Sequence, residues 1–316
     1  MHVRGVETMS QPADKAAVRL FVVPRKRTLW NLGLGLVGAL LLYLTFFQHG
    51  ELAVNYRTHL SLGIALVIAL VALVCEYFDS TLGMGYGTTL TPLLMIAGFP
   101  ALDVVPCILL SEMVTGIAAG LTHQGMGNVS FRRGERALPT MLVLAACSVL
   151  GTVAAALLAV KLPKAVLNVA IGSLILAVGL FLVLYRQRSW QFSWRRITSL
   201  GLVAAFNKGL SGGGYGPLVT GGQILAGVPE KGAVGITSLA EGLTCLVGLI
   251  VYTLTKGLPD WHLAVPMTVG AVLSIPAAAY TVRLMPPQLL KGTIGWATVF
   301  LGAMTLAKVL IGVGAG

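Results

Sequence analysis

Charge is scarce in this chain. Only 10% of its 316 residues are Asp, Glu, Lys or Arg, against roughly 25% in a soluble domain. That deficit excludes an ordinary soluble fold. Acid is scarcer than base, 11 residues against 22. The excess base falls in loops, so membrane orientation accounts for it and nucleic-acid binding is not expected. Cysteine is limited to Cys75, Cys107, Cys147 and Cys245. All four lie in apolar runs, with no CxxC spacing and no His partner at metal spacing, and read as small packing residues. HExxH and the nucleotide loop GxxxxGK[ST] are missing, which argues against a zinc-dependent intramembrane enzyme and a nucleotide-driven pump. No cofactor and no metal are expected.

Apolar residues dominate instead, at 56%, with mean hydropathy +0.86. Runs of about 20 apolar residues recur, the length that crosses about 30 Å of hydrocarbon. The pattern predicts segments at Leu29–Phe47, His59–Asp79, a short Tyr86–Ala97, Asp103–His123, Ala137–Val160 and Ala165–Tyr185. After a polar linker come Ile197–Leu210, a short Tyr215–Ala226, Gly232–Thr255, Trp261–Val282 and Leu290–Val313. The first run is too long for a signal-peptide core and no small-residue cleavage site follows, so it reads as a retained helix. A cytoplasmic N-terminus places sixteen Lys and Arg inside and five outside, with Lys208 left within an apolar run. This bias sets the orientation. The odd segment count then puts the C-terminus of this multi-pass protein outside.

Two halves of the chain repeat one another. "FDSTLGMGYGTTLTPLLMIAGFP" at 78–100 returns as "FNKGLSGGGYGPLVTGGQILAGVP" at 206–229. Phe78 matches Phe206 at an offset of 128, and one extra glycine makes it 129 from Tyr86/Tyr215 onward. Gly87/Gly216, Thr91/Thr220, Gly98/Gly227, Pro100/Pro229, Glu112/Glu241 and Thr115/Thr244 then coincide. Five segments per repeat is an odd number, so the second copy enters the membrane from the opposite side, a recurrent transporter plan. If each short segment folds back with its predecessor as a re-entrant hairpin, the parity is unchanged. The expected fold is therefore all-α: a polytopic membrane protein of two inverted-topology five-segment repeats with broken or re-entrant half-helices, plus an extra N-terminal helix. Its parts are a basic tail at 1–28, an extra helix and outer loop at 29–58, repeat 1 at 59–186, a linker at 187–195 and repeat 2 at 196–316.

Gly83, Gly85 and Gly87 fall within five positions, as do Gly212, Gly213, Gly214 and Gly216. So many glycines do not hold a regular helix. Non-helical backbone at membrane depth is tolerated where protein or a wet cavity covers it. The pattern predicts an unwound loop and then a half-helix starting near Tyr86 or Tyr215. Such a start carries unsatisfied N–H groups and the positive end of a dipole, which together attract an anion. Two such ends meeting near the midplane would form one site, lined by Gly83, Gly85, Tyr86, Gly87 and Thr88 from one copy. Asn207, Lys208, Ser211, Gly212, Gly213, Gly214, Tyr215 and Gly216 come from the other. The alternative is that the glycines only allow the repeats to pack tightly. Further hydroxyls and amides near the loops are Ser80, Thr81, Thr89, Thr91, Thr220 and Gln223, and hydroxyls also bond back to their own helix.

A charge at bilayer depth costs roughly 2.5–3.5 kcal/mol on insertion scales and is a functional candidate by default. Lys208 either offers charge to an anionic substrate or pairs structurally with Asp79 or Glu76. Glu112 and Glu241 are related by the repeat, each with Thr three residues on, on one helix face. They either load and release a coupling proton or cap the broken backbone. Glu76 and Asp79 have no acidic counterparts in repeat 2 and read as interfacial.

The paired glycine motifs, the short helices ending in "GFP" and "GVP", and the E-x-x-T helices resemble the TauE/SafE family, over about Leu60 to Val313. The matching positions are Gly83, Gly85 and Gly87 around "GYG", Gly212 to Gly216 in "GGGYG", and Pro100 and Pro229. The first motif reads "GMGYG", where the family often has a fuller glycine run. The resemblance implies a bacterial inner-membrane carrier of sulfite, sulfoacetate or other sulfonates, more often exporting, and coupled to protons. Its partners would be a small anionic substrate, protons as coupling ion and the bilayer, with oligomeric state open. The alternatives are an anion channel, a carrier of an unrelated small metabolite and a membrane redox protein. The last is weak, because Cys75 and Cys107 map onto Val203 and Ile236.

Overall fold

A computed structural model describes residues 60–158, 164–185, 187, 191–211 and 215–313. The chain divides near residue 45 into two compact units, and the described residues lie in the second. The expected tail at 1–28, the extra helix at 29–47 and glycines 212–214 fall outside the described residues.

Ten helices and no strand occur among the described residues: α1 (Leu62–Leu82), α2 (Tyr86–Ile96), α3 (Ala101–Gly125), α4 (Ala137–Leu158) and α5 (Lys164–Leu184), then α6 (Trp194–Ser211), α7 (Tyr215–Leu225), α8 (Glu230–Lys256), α9 (Trp261–Leu284) and α10 (Pro287–Val313). The protein is an all-helical polytopic membrane protein. Stretches long and apolar enough to span occur in α1, α3, α8 and α9, and shorter apolar stretches lie in α4 and α5. Leu62, Leu66 and Leu70 on α1, and Trp261, Val265, Val269 and Leu273 on α9, are exposed at four-residue spacing. These apolar stripes face outward, the reverse of a soluble helix and suited to lipid.

Glycine sets where the chain breaks. α1 starts on Ser61, whose hydroxyl accepts from the Ile64 N–H. It ends at Gly83, which turns left-handed at φ 72° and donates its N–H to Asp79 O; a side chain there would be strained. Met84 and Gly85 link it to α2. Both α2 and α7 have 11 residues, about 16 Å of helix, half a hydrocarbon core. Both stop alike. Phe99 N–H reaches Leu94 O at 3.0 Å and Val228 N–H reaches Gln223 O at 2.9 Å. Each bond closes over a glycine with positive φ, Gly98 at 92° and Gly227 at 89°. This is the Schellman cap. Pro100 and Pro229 follow as extended N-caps and start α3 and α8 at once. The "GFP" and "GVP" endings are thus the stop of one helix and the start of the next.

The strongest helix pairs are α5 with α10, α1 with α9, α3 with α8, and α4 with α6. Exchanging α1–α5 for α6–α10 in order maps α3/α8 and α5/α10 onto themselves and α1/α9 onto α6/α4. Close contacts at glycine give the directions. Gly116 packs on Gly242 and Gly120 on Leu239, while Gly179 packs on Val299 and Gly302 on Leu176. Equivalent helices therefore run antiparallel. Gly201 meets Leu144 and Gly151 meets Ala205, while Ala69 meets Gly270 and Tyr77 bonds Thr281. The α4/α6 and α1/α9 pairs therefore run parallel.

A methyl at Gly270 would overlap the Ala69 carbonyl of α1, whereas nothing lies within 4 Å of one at Gly63. Gly270→Ala should destabilise by about 1–3 kcal/mol. In detergent its thermal unfolding midpoint should fall, while that of Gly63→Ala should not.

Candidate functional site

The two half-helix starts meet. Gly216, in the first turn of α7, packs against the Gly83 carbonyl and Met84 of the α1–α2 loop. Thr220 on α7 donates its hydroxyl to the same carbonyl at 2.9 Å and lies 2.9 Å from the Thr237 hydroxyl. Gln223 Nε2 donates to Thr237 at 2.7 Å. This buried chain of polar groups satisfies a loop carbonyl that would otherwise be an orphan in an apolar interior.

The first half-helix already holds anions of the protein itself. Tyr86 N–H donates to Asp79 Oδ1 at 3.1 Å, and Gly87 N–H to Glu112 Oε1 at 3.1 Å. These are the first amides of α2, the groups a helix start leaves unpaired. The other oxygen of Glu112 accepts from Lys208 Nζ at 3.1 Å and from the Cys245 thiol at 3.2 Å. Lys208 Nζ also donates to Glu241 Oε1 at 2.6 Å and lies 5.6 Å from the Tyr215 ring centre. One ammonium from α6 thus bridges a carboxylate on α3 and one on α8. Lys208, Glu112 and Glu241 are all buried, at 7%, 5% and 7% exposure. In such surroundings a lone charge is untenable and each of the three requires the others. Glu241 Oε2 has no hydrogen-bond partner among the described residues.

A cavity of about 10 Å³ lies between these groups, enough for about one water. Asp79, Glu112, Glu241, Lys208, Thr88 and glycines 85, 87 and 216 line it. Among the described residues it is too small for a sulfur oxyanion.

Most residues expected from the sequence gather here. Gly83 touches α7 rather than the cavity. The rings of Tyr86 and Tyr215 are buried, but their hydroxyls reach Ser111 at 2.7 Å and Ser148 at 3.4 Å. Thr88 returns its hydroxyl to Gly85 O at 3.2 Å, the local role such residues often take. Asn207 and Ser211 sit in the last turns of α6. Gly212, Gly213 and Gly214 lie outside the described residues. Thr244 donates to Ser148 at 2.6 Å, on the Tyr215 side.

Two expectations are corrected. Lys208 pairs with Glu112 and Glu241, not with Asp79 or Glu76, because α3 and α8 cross beside it. Glu76 and Asp79 are not interfacial. Glu76 is buried and accepts from Ser80 at 2.6 Å, and Asp79 lines the cavity. Asp79 is the residue the sequence reading missed as functional. Its signal was an acid inside an apolar run, four residues before the glycine stop. Its repeat counterpart is Asn207, as that of Ser80 is Lys208, so one copy contributes the acid and the other the cation.

An all-helical membrane protein in which two half-helix starts meet at a buried charge cluster has the architecture of a membrane transporter. The Sulfite exporter TauE/SafE family matches residues 67–305, and the chain belongs to that membrane transporter family. The chain is 27% identical over 255 residues to the Probable membrane transporter protein YtnM of Bacillus subtilis (strain 168). That match covers 76% of this chain and 82% of the relative. No solved structure matches the chain.

Removing the shared cation should strand two buried carboxylates. Lys208→Met is expected to destabilise by about 3–5 kcal/mol. Adding Glu112→Gln to it should recover part of that loss, and a double-mutant cycle of thermal unfolding measures the coupling.

Proposed function

We propose that the protein is a secondary carrier of a small sulfur-containing anion, such as sulfite or an organosulfonate, and that protons are its coupling ion. The observation that carries this reading is Lys208 held between Glu112 and Glu241 at the start of a half-helix. The site offers backbone N–H groups and one ammonium, the donors an oxyanion takes. It also offers carboxyls in a dry interior, which exchange protons with an entering charge. The family's printed name, Sulfite exporter, supports a sulfur oxyanion as cargo and outward movement as one working direction.

The antiparallel packing of equivalent helices supports the inverted-topology reading, in which the two copies cross the bilayer in opposite senses. The excess of Lys and Arg in alternate loops supports an inner-membrane protein with its N-terminus in the cytoplasm and its C-terminus in the periplasm. Substrate-binding roles fall to Gly85, Gly87, Thr88, Lys208 and Gly216, with Glu112 and Glu241 carrying protons. Gly83, Tyr86 and Tyr215 shape the site behind them. Asn207 and Ser211 lie on α6 with Lys208, and Gly212 to Gly214 are assigned to the same site from the sequence.

The test is ligand-induced stabilisation of the purified chain by sulfite, thiosulfate and sulfonates, followed by counterflow in proteoliposomes. A ligand at 100 times its dissociation constant adds about 2.7 kcal/mol, so its midpoint should rise, and Lys208→Gln should abolish the rise. Saturable counterflow of the same anion is expected. A linear flux that never saturates would make the protein a channel.

A further inference from the structure

Glu112 is bound as a substrate would be. One of its carboxylate oxygens takes the Gly87 amide at the start of α2, and the other takes the Lys208 ammonium and the Cys245 thiol. Two oxygens on one planar carboxylate thus fill the donors that the helix start and the cation present. An oxyanion entering the cavity needs the same donors. The cavity between them has room for about one water, so carboxylate and anion do not fit together.

From this we infer, resting on the anion-carrier reading, that Glu112 is a built-in stand-in for the substrate, which yields its donors only when protonated, so that a proton and the anion cross in the same direction. Ionised Glu112 holds Gly87 N–H and Lys208 and keeps the anion out. When a proton from the aqueous side joins the carboxylate, its charge is lost and the charge-assisted bond to Lys208 goes with it. The anion then takes the amide and the ammonium. On the far side the anion departs, the proton leaves Glu112 for water, and the carboxylate returns to its donors. One proton and one anion have moved, and the protein is as it began.

Glu112 fits this role better than its repeat mate. Among the described residues Glu241 holds the ammonium through one oxygen and takes no backbone amide with the other, whereas Glu112 holds amide and ammonium at once. The charged and titratable groups facing Glu112 and Lys208 do not supply a substitute. From α1 come Cys75, Glu76 and Asp79, from α2 Tyr86, from α7 Tyr215, and from α8 Glu241 and Cys245. Asp79, Glu112 and Glu241 surround the one ammonium of Lys208 at the cavity. Neutralising Glu112 removes a carboxylate charge from beside the entering anion and frees the donors in one event. An inward proton gradient then drives uptake. The same carrier runs outward whenever the anion's own outward gradient exceeds the proton force, which accommodates export.

Proteoliposomes holding the full chain and an internal pH dye test this, with membrane potential clamped and no pH gradient imposed. Labelled sulfite, methanesulfonate and thiosulfate are added outside. Methanesulfonate and thiosulfate carry no proton of their own near neutral pH, so their entry should acidify the interior. In parallel, anion affinity is measured from pH 5 to 8. For the wild type it should rise as pH falls, by up to about tenfold per unit where one proton is taken up with the anion, and for Glu112→Gln the slope should flatten. Comparing the two proteins cancels any titration of sulfite itself. An interior that turns alkaline or does not change, or equal slopes in both proteins, overturns the shared-direction inference while leaving the carrier intact. Movement of none of the three anions removes the carrier reading and this inference together.

Discussion

An ammonium in an apolar interior has few places to go, and the core of this protein is arranged around that constraint. Lys208 lies on α6, and the carboxylates that neutralise it come from α3 and α8. These two helices are equivalent in the two repeats and pack against one another through Gly116 and Gly242. Without small residues at that crossing the backbones would stand further apart, and one ammonium would not span both acids. The electrostatics of the centre therefore rests on glycine packing within a helical turn of the charges.

The broken helices follow from the same need. Carboxylates in hydrocarbon require donors, and an intact helix has spent its amides on itself. Breaking the chain at Gly83 exposes the first amides of α2, and Asp79 and Glu112 take them. Opening the backbone and burying the acids are two halves of one balance. The second half-helix instead braces the first break: its Thr220 donates to the Gly83 carbonyl, with Thr237 and Gln223 behind it. The two copies have thus diverged in what they do: one start is occupied by acids, the other braces its neighbour.

Much of this was legible in the amino-acid order. The doubled glycine stretch marked both breaks, and the endings at Pro100 and Pro229 marked where α3 and α8 begin. The paired Glu112 and Glu241 stood out because charge is costly at that depth. What could not be read was who meets whom. Lys208 and Glu112 are 96 residues apart, and only the crossing of α3 and α8 brings them together. Pairing Lys208 with Asp79 was one alternative because Asp79 adjoins Ser80, the repeat counterpart of Lys208, but equivalent places are related by the packing, not joined by it. Asp79 was passed over because a single acid near a segment end looks like any interfacial residue until its amide partner on the next helix is placed. Thr88, by contrast, returned to its own backbone as hydroxyls in helices commonly do.

The small cavity has a bearing on the cell's energy supply. Protons run through membranes along threads of water, and a space with room for about one molecule does not hold a thread. Among the described residues the acids gather without a file of water beside them, and the tight contacts of Gly83 and Gly216 help keep that space small.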